Sequence, residues 1–401
     1  MIKLRRKAIT SIFVGLVWTF VAATITAIAL SFATGLPYKP DMVWIVIGGA
    51  LAGFFVTHSR LAALASGAAL AIAGMLGFGI VTSGDAAAVF TNSFTHLLSA
   101  TIAVGGTYAI TKVAPKGALS RHEFEEIIIR LLTAIGYVFF TAIVLIPFYV
   151  MVMTSFKNQS ELVQNPLDFS LDLSKGWGLF RSYVELFADF NFGIYLANSM
   201  VISILTVFIT LAFSIPGAYA VARLRFSGQA AFSRSILLIY MVPMIVLALP
   251  IYIAFSLTGL RNSIFGIILI YPVTTIPVAL YMLQGYFRGL PGEIEEAGLM
   301  DGLSRLAVIW KITLPLSLPA IASVSLYVFM IAWNEFLLAF MLLDDPSKFT
   351  LTRGIASLNS SEIPRQHLMA GAVIATVPIM ALFLGLERFM TKGLTAGSVK
   401  G

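Results

Sequence analysis

The side chains able to do chemistry are sparse in this chain, and one polar, acid-bearing stretch interrupts its apolar runs. Residues 295–315 read EEAGLMDGLSRLAVIWKITLP, and apolar runs of more than twenty residues lie on both sides. Pro291 suits a first helical position, and Glu293, Glu295 and Glu296 follow in the first turns, where the helix dipole favours negative charge. Gly302, after Asp301, suits a left-handed stop. The spacing predicts a short helix over 291–301, with Ile294, Ala297, Gly298 and Asp301 on one side at i, i+3, i+4 and i+7. A second short helix, LSRLAVIWKI, leads to Leu314 and Pro315 at the mouth of the next apolar run. The first helix offers acids around a small, flat middle. An anionic leaflet would repel those acids, and a lipid-seeking face would carry Trp, Phe or Leu instead. A small-residue ridge suits a groove on another protein, where backbones approach closely.

Other chemistries find little support. The chain has no cysteine, hence no disulfide framework, thiol nucleophile or thiolate metal site. His58, His96, His122 and His367 are scattered and form no metal or proton-relay cluster, so no metal site is expected. No G-x-x-x-x-G-K-[ST] phosphate loop occurs, so this chain is not expected to bind and hydrolyse ATP in the usual way. The clustered acids or histidines that a membrane-embedded transferase would place at one membrane face are also missing.

The elements that must position the acidic stretch are membrane helices. Of 401 residues, 59% are hydrophobic and 11% charged, against about 25% charged in a soluble domain. Runs without Asp, Glu, Lys or Arg cover 8–38, 42–59, 61–84, 86–111, 131–156, 190–222, 235–260, 262–287, 312–334 and 366–386. About 20 apolar residues cross a hydrocarbon core roughly 30 Å thick, so the expectation is an all-α polytopic membrane protein of about ten transmembrane helices. With the amino terminus in the cytoplasm, 18 of the 26 Lys and Arg fall inside and eight outside, the positive-inside bias. Both termini are then cytoplasmic, 295–315 lies on the cytoplasmic side, and the net charge of +7 reports orientation rather than nucleic-acid binding. The first apolar run exceeds a signal-peptide core and reads as a retained helix.

The runs form two groups. Residues 1–118 carry four spans with short connections and small residues such as Gly67, Ala71, Gly74 and Gly77, a composition for close helix packing. A charged joint, TKVAPKGALSRHEFEEIIIR, follows, with Pro115 and Gly117 as breakers. Residues 119–401 carry six further spans, broken by Pro147, Pro216, Pro243, Pro250, Pro272, Pro277, Pro319 and Pro378. Two outer segments, 157–189 and 344–365, are polar enough to receive an extracytoplasmic partner. In the first, Leu179, Tyr183, Leu186 and Phe187 share a helical face.

The 288–315 loop resembles the conserved cytoplasmic loop of bacterial ABC importer permeases: Glu-Ala-Ala, three residues, Gly, nine residues, Ile-x-Leu-Pro. Here the pattern is Glu296-Ala297-Gly298, Gly302 and Ile312-Thr313-Leu314-Pro315, with every spacing kept and Gly298 replacing the second alanine. AYAVARLRFSG (218–228), WNEF (333–336) and GLTAGSVKG (393–401) resemble the carbohydrate-uptake branch. The resemblance covers about residues 128–401 and leaves the 1–118 extension without a functional account.

The resemblance implies a six-helix core in the bacterial inner membrane, paired with a second permease subunit. It also implies two ATP-binding cassette subunits, which use ATP and Mg, and a solute-binding protein that delivers a sugar from outside. This chain itself then binds no cofactor and catalyses nothing. Glu295, Glu296, Ala297, Gly298, Asp301, Gly302, Ile312, Leu314 and Pro315 are the expected coupling residues, and Val399, Lys400 and Gly401 are expected to reach toward the ATPases. Glu335 sits about 9 Å from the outer end of its span at roughly 1.5 Å per residue, and an ionisable group at that depth is a functional candidate. Trp333 can stack on a sugar ring, and Asn334 and Glu335 can bond hydroxyls; alternatively the group forms an interspan clasp or a gate. The competing class is an ion-coupled secondary transporter of a small polar solute. That would show buried acids or broken helices in two related halves, and no internal repeat is visible.

Overall fold

The computed structural model describes residues 6–83, 89–113, 115, 117–166, 168–360 and 363–397. Helices dominate: α1 (Lys7–Thr34), α2 (Met42–Val56), α3 (Arg60–Met75), α4 (Val89–Thr111), α5 (Arg121–Ser155), α6 (Gln159–Gln164), α7 (Arg181–Asp189), α8 (Phe192–Arg223), α9 (Gln229–Tyr240), α10 (Met244–Leu257) and α11 (Ile264–Gly289). After them come α12 (Gly292–Met300), α13 (Arg305–Val308), a π-helical turn (Ile309–Thr313), α14 (Leu314–Leu316), α15 (Leu318–Asn334), α16 (Leu337–Leu342), α17 (Leu351–Ser357) and α18 (Arg365–Gly397).

Among the described residues α1, α5, α8, α11 and the 365–387 part of α18 are long and apolar enough to cross a membrane. Arg305–Leu316 with Leu318–Asn334, bent by 79°, makes a sixth if counted as one span. The remaining charge-free runs are helical too, with three departures from expectation. Runs 42–59 and 61–84 hold only the 15-residue α2 and the 16-residue α3. At about 1.5 Å per residue, α2 is roughly 22 Å long and falls short of the hydrocarbon core. Run 235–260 is split into α9 and α10 at Pro243, which begins α10 as its cap; a residue before proline is pushed out of helical geometry. The chain is also not purely helical. Two three-residue strands, β1 (Tyr38–Pro40) and β2 (Val81–Ser83), pair antiparallel with Lys39 opposite Thr82.

Contacts divide the chain into two compact units, Met1–Leu179 and Phe180–Gly401. In the first, α1 packs on α2 and α4, and α3 on α4. Gly15, Gly49 and Gly53 permit the α1–α2 approach: a Cβ on Gly53 would lie 2.2 Å from the Ser11 carbonyl oxygen. That is the small-xxx-small device of membrane helix pairs. Ser120 and Glu123 cap α5 reciprocally: the Glu123 N–H donates to Ser120 Oγ (3.2 Å) and the Ser120 N–H to Glu123 Oε2 (2.7 Å). The contact division falls after α6 rather than at the charged joint because α5 packs on α1 and α4. The Tyr149 hydroxyl of α5, for example, lies 3.2 Å from the carbonyl oxygens of both Phe32 and Phe169.

In the second unit α8 and α11 pair along their lengths, and α15 packs on α8, α11 and α18. One apolar core gathers Phe192, Tyr271, Phe329, Trp333 and Leu338, and another gathers Tyr219, Leu283, Phe287, Val324 and Val328. Between α8 and α11 the hydroxyls of Thr210 and Thr275 sit 2.6 Å apart, both fully buried. Leu186 of α7 is buried in the first core, with Tyr183 against it, while Phe187 stays about half exposed.

Candidate functional site

The acidic stretch folds as α12, closed as its sequence demands. Gly302 takes a left-handed conformation (φ 84°). Its N–H donates to the Leu299 carbonyl (3.1 Å), and the Leu303 N–H donates to the Gly298 carbonyl (3.1 Å). This 6→1 and 5→2 pair satisfies carbonyls that a helix end leaves open. Pro291 stands just before the helix, as its cap rather than its first residue.

The helix faces differ from the ridge predicted above. Glu293, Ile294, Glu296, Ala297, Met300 and Asp301 are exposed, whereas Glu295 and Gly298 are buried. Gly298 therefore leaves the expected ridge. It faces the rest of its own loop, where a Cβ would meet Ile312 Cδ1 at 2.5 Å, Leu303 at 3.5 Å and Val308 at 3.6 Å. Ile312 is thus the residue against which Gly298 packs, so two parts of the spaced motif pack on each other. Ala297 and Glu296 remain exposed, as are Leu306 of α13 and Trp310 of the π-helical turn.

Glu295 is the hub beneath this face. Its carboxylate accepts from the Tyr219 hydroxyl (3.2 Å) and from the Thr313 hydroxyl (3.0 Å). Arg223 Nε lies 3.4 Å from Oε1, an ion pair without hydrogen-bond alignment. The same guanidinium donates to the Leu290 carbonyl at 2.7 Å. A buried carboxylate is tolerated where such partners replace water. Behind α12 opens a cleft of about 900 Å³ bordered by Arg223, Arg225, Gln229, Glu296 and Arg305. Sequence reading placed Glu295 in the coupling set but missed Tyr219, Arg223 and Thr313. The i, i+4 spacing of Tyr219 and Arg223 puts them on one face of α8, a signal that could have joined them.

Leu314 and Pro315 lie in the one-turn α14 after the π-helical turn, Leu314 half-buried and Pro315 exposed. The chain then bends by 79° into α15.

At the far end of α15, Trp333, Asn334 and Glu335 separate. Trp333 is 2% exposed, stacks on Phe329 (5.4 Å between ring centroids, 19°) and donates its indole N–H to the Ala375 carbonyl. Its faces are taken, so in this conformation it offers no platform to a sugar ring. Asn334 is exposed and donates back to the Met330 carbonyl (2.9 Å). Glu335 ends α15 in extended geometry and caps α16, accepting from the N–H groups of Leu338 (2.8 Å) and Ala339 (3.1 Å). It also accepts from the Tyr271 hydroxyl of α11 (2.8 Å), and its carbonyl accepts from Thr352 (2.6 Å). These contacts make a clasp among α11, the α15–α16 break and α17. Val399, Lys400 and Gly401 lie outside the described residues.

Residues 214–395, which include the whole α11–α15 loop, match the model of the binding-protein-dependent transport system inner membrane component family. The chain is 38% identical over 269 residues to the inner membrane ABC transporter permease protein YcjP of Escherichia coli K12, covering 66% of this chain and 95% of that protein. It is 34% identical over 282 residues to the trehalose/maltose transport system permease protein MalG of Thermococcus litoralis, covering 69% of this chain and 99% of that protein. The chain belongs to this family. It is an inner-membrane permease of a binding-protein-dependent ABC transport system. A chain from the crystal structure of a bacterial ABC transporter involved in the import of the acidic polysaccharide alginate has the same fold, with a TM-score of 0.57 at 23% identity over 69% of this permease and 99% of that chain. The ion-coupled alternative gains no support from these relatives. Whole relatives fit within about two thirds of the permease, so it carries further sequence beyond the shared body.

Proposed function

We propose that this permease imports a sugar or oligosaccharide by alternating access, driven by cytoplasmic ATPases that dock on α12. The observation that carries the reading is the division of labour on that helix. Glu295 and Gly298 are spent on internal contacts, while Ile294, Glu296, Ala297 and Met300 face outward around an alanine that permits close approach. The trehalose/maltose relative supports the cargo class.

In this reading both termini are cytoplasmic and the shared body comprises residues 119–401, paired with a second permease as a heterodimer. Two ATP-binding cassette subunits bind ATP and Mg, and this chain binds neither. Residues 1–118 form an extension that completes about ten membrane helices, and Val399 to Gly401 run toward the ATPases. A binding protein docks outside on the 157–189 and 344–365 segments. Glu335, with Trp333 and Asn334 beside it, belongs to a gate that opens when the α15–α16 break rearranges, rather than to a sugar platform in the conformation described here.

Ala297→Arg tests the docking. Its side chain points away from the loop's own packing, so the variant should insert normally and lose co-purifying ATPase. Undiminished co-purification would refute the assignment.

A further inference from the structure

Resting on that reading, the geometry points to α8 as the strut that carries motion between the ATPase-facing loop and the binding-protein-facing loop. Chain continuity would assign this task to α11 and α15, which flank α12. Both covalent routes are interrupted. Leu290 and Pro291 are extended (ψ 143° and 122°) between α11 and α12. On the other side come a π-helical turn and a 79° bend before α15.

The side-chain route is firmer. At one end of α8, Tyr219 and Arg223 grip Glu295 within α12, and Arg223 also holds the Leu290 carbonyl. Near the other end, Asn198 Nδ2 donates to the carbonyls of Ser347 and Phe349, both at 3.1 Å, and Ser199 Oγ accepts from the Leu351 N–H at 2.7 Å. One helix of 32 residues, continuous through Pro216, therefore holds both loops, about 48 Å from end to end at roughly 1.5 Å per residue. Along its length it is backed by α11 through the Thr210–Thr275 bond. A packed rigid element gripped at both ends is the physical requirement for passing a displacement across a membrane. Tyr219 and Asn198 are thus positioning residues at its two ends.

The test uses the complete transporter in proteoliposomes, reading ATP hydrolysis with and without the sugar-loaded binding protein. Tyr219→Phe and Asn198→Ala should each leave ATPase co-purification intact yet lower the stimulation by loaded binding protein by about threefold or more. Ser233→Ala removes the hydroxyl that donates to Gln284 (3.2 Å) and accepts from Arg288 (3.5 Å), neither of them on α8, and its stimulation should stay at the wild-type level. Unchanged stimulation in both α8 variants, or an equal fall in Ser233→Ala, overturns the strut. Loss of co-purification in Tyr219→Phe also overturns it, by making the tyrosine a docking determinant. Should Tyr219→Phe disturb folding, the cysteine-free chain allows a second measurement. Tyr219 and Glu295 meet at the tips of long side chains, so a Tyr219→Cys, Glu295→Cys pair is bridged by a reducible bis-thiosulfonate cross-linker rather than by a direct disulfide. So pinned, the permease should retain transport if α8 and α12 move as one body. Transport abolished by the cross-linker and restored by reduction would sink the idea. Failure of the wild-type chain to bind any ATPase would count against the docking proposal instead.

Discussion

Gly298 illustrates how a single departure from a motif is read differently once its neighbours are known. The helix gains about 1 kcal/mol when glycine becomes alanine, while forcing a methyl into a packed site costs roughly 1–3 kcal/mol. The obstructing atom is Ile312 Cδ1, the free tip of a side chain rather than backbone. Gly298→Ala should therefore stay within about 1 kcal/mol of wild type and keep its ATPase partner; a large fall in melting temperature would contradict this. Gly298→Glu buries a carboxylate among Ile312, Leu303 and Val308, with no partner to offset its desolvation. It should open the loop, so limited proteolysis ought to cut within 291–317 in Gly298→Glu and spare Ala297→Arg. Equal protection of the two variants would mean that position 298 faces outward after all.

At the scale of elements, the α15–α16 break depends on one side chain. Glu335 supplies acceptors to two backbone N–H groups at the start of α16 and to the Tyr271 hydroxyl. Leaving a buried donor unsatisfied costs about 1–3 kcal/mol. Glu335→Ala should lower the melting temperature of the purified permease more than Glu335→Gln, which keeps one acceptor, or Tyr271→Phe, which removes a single bond. If all three fall equally, capping is not what the carboxylate does. The same break shows what residue type alone leaves open about Trp333: in this conformation its indole is buried and bonds the Ala375 carbonyl of α18.

For the molecule as a whole, the question is what the amino-terminal helices contribute. Val14 and Trp18 of α1 share a buried cluster with Ile127 and Leu131 of α5. A chain truncated to residues 119–401 would expose these α5 residues to lipid, which is as apolar as the helix it replaces. Tyr149 would keep its Phe169 partner. The truncated permease should insert and co-purify with its ATPase at a level within about threefold of the full chain, because the partners that hold the coupling loop, Tyr219, Thr313 and Ile312, are all retained. Complete loss of the ATPase from a well-inserted truncation would show that the extension belongs to the working body.

Periodicity and end signals are local properties, and the sequence alone carried them well. Five of the long helices, and a sixth if the bent pair is one span, followed from charge-free length, the α12 boundaries from Pro291 and Gly302, and the motif from spacing. What it could not carry were the pairings between residues far apart in the chain: Tyr219 with Glu295, Tyr271 with Glu335, Asn198 with Phe349, and Lys39 opposite Thr82. A hydrogen bond needs partners within about 3 Å, and only tertiary packing decides which distant groups come that close. For that reason the inward turn of Gly298, the clasp at Glu335 and the double grip of α8 belong to the fold, although every residue in them was in plain view.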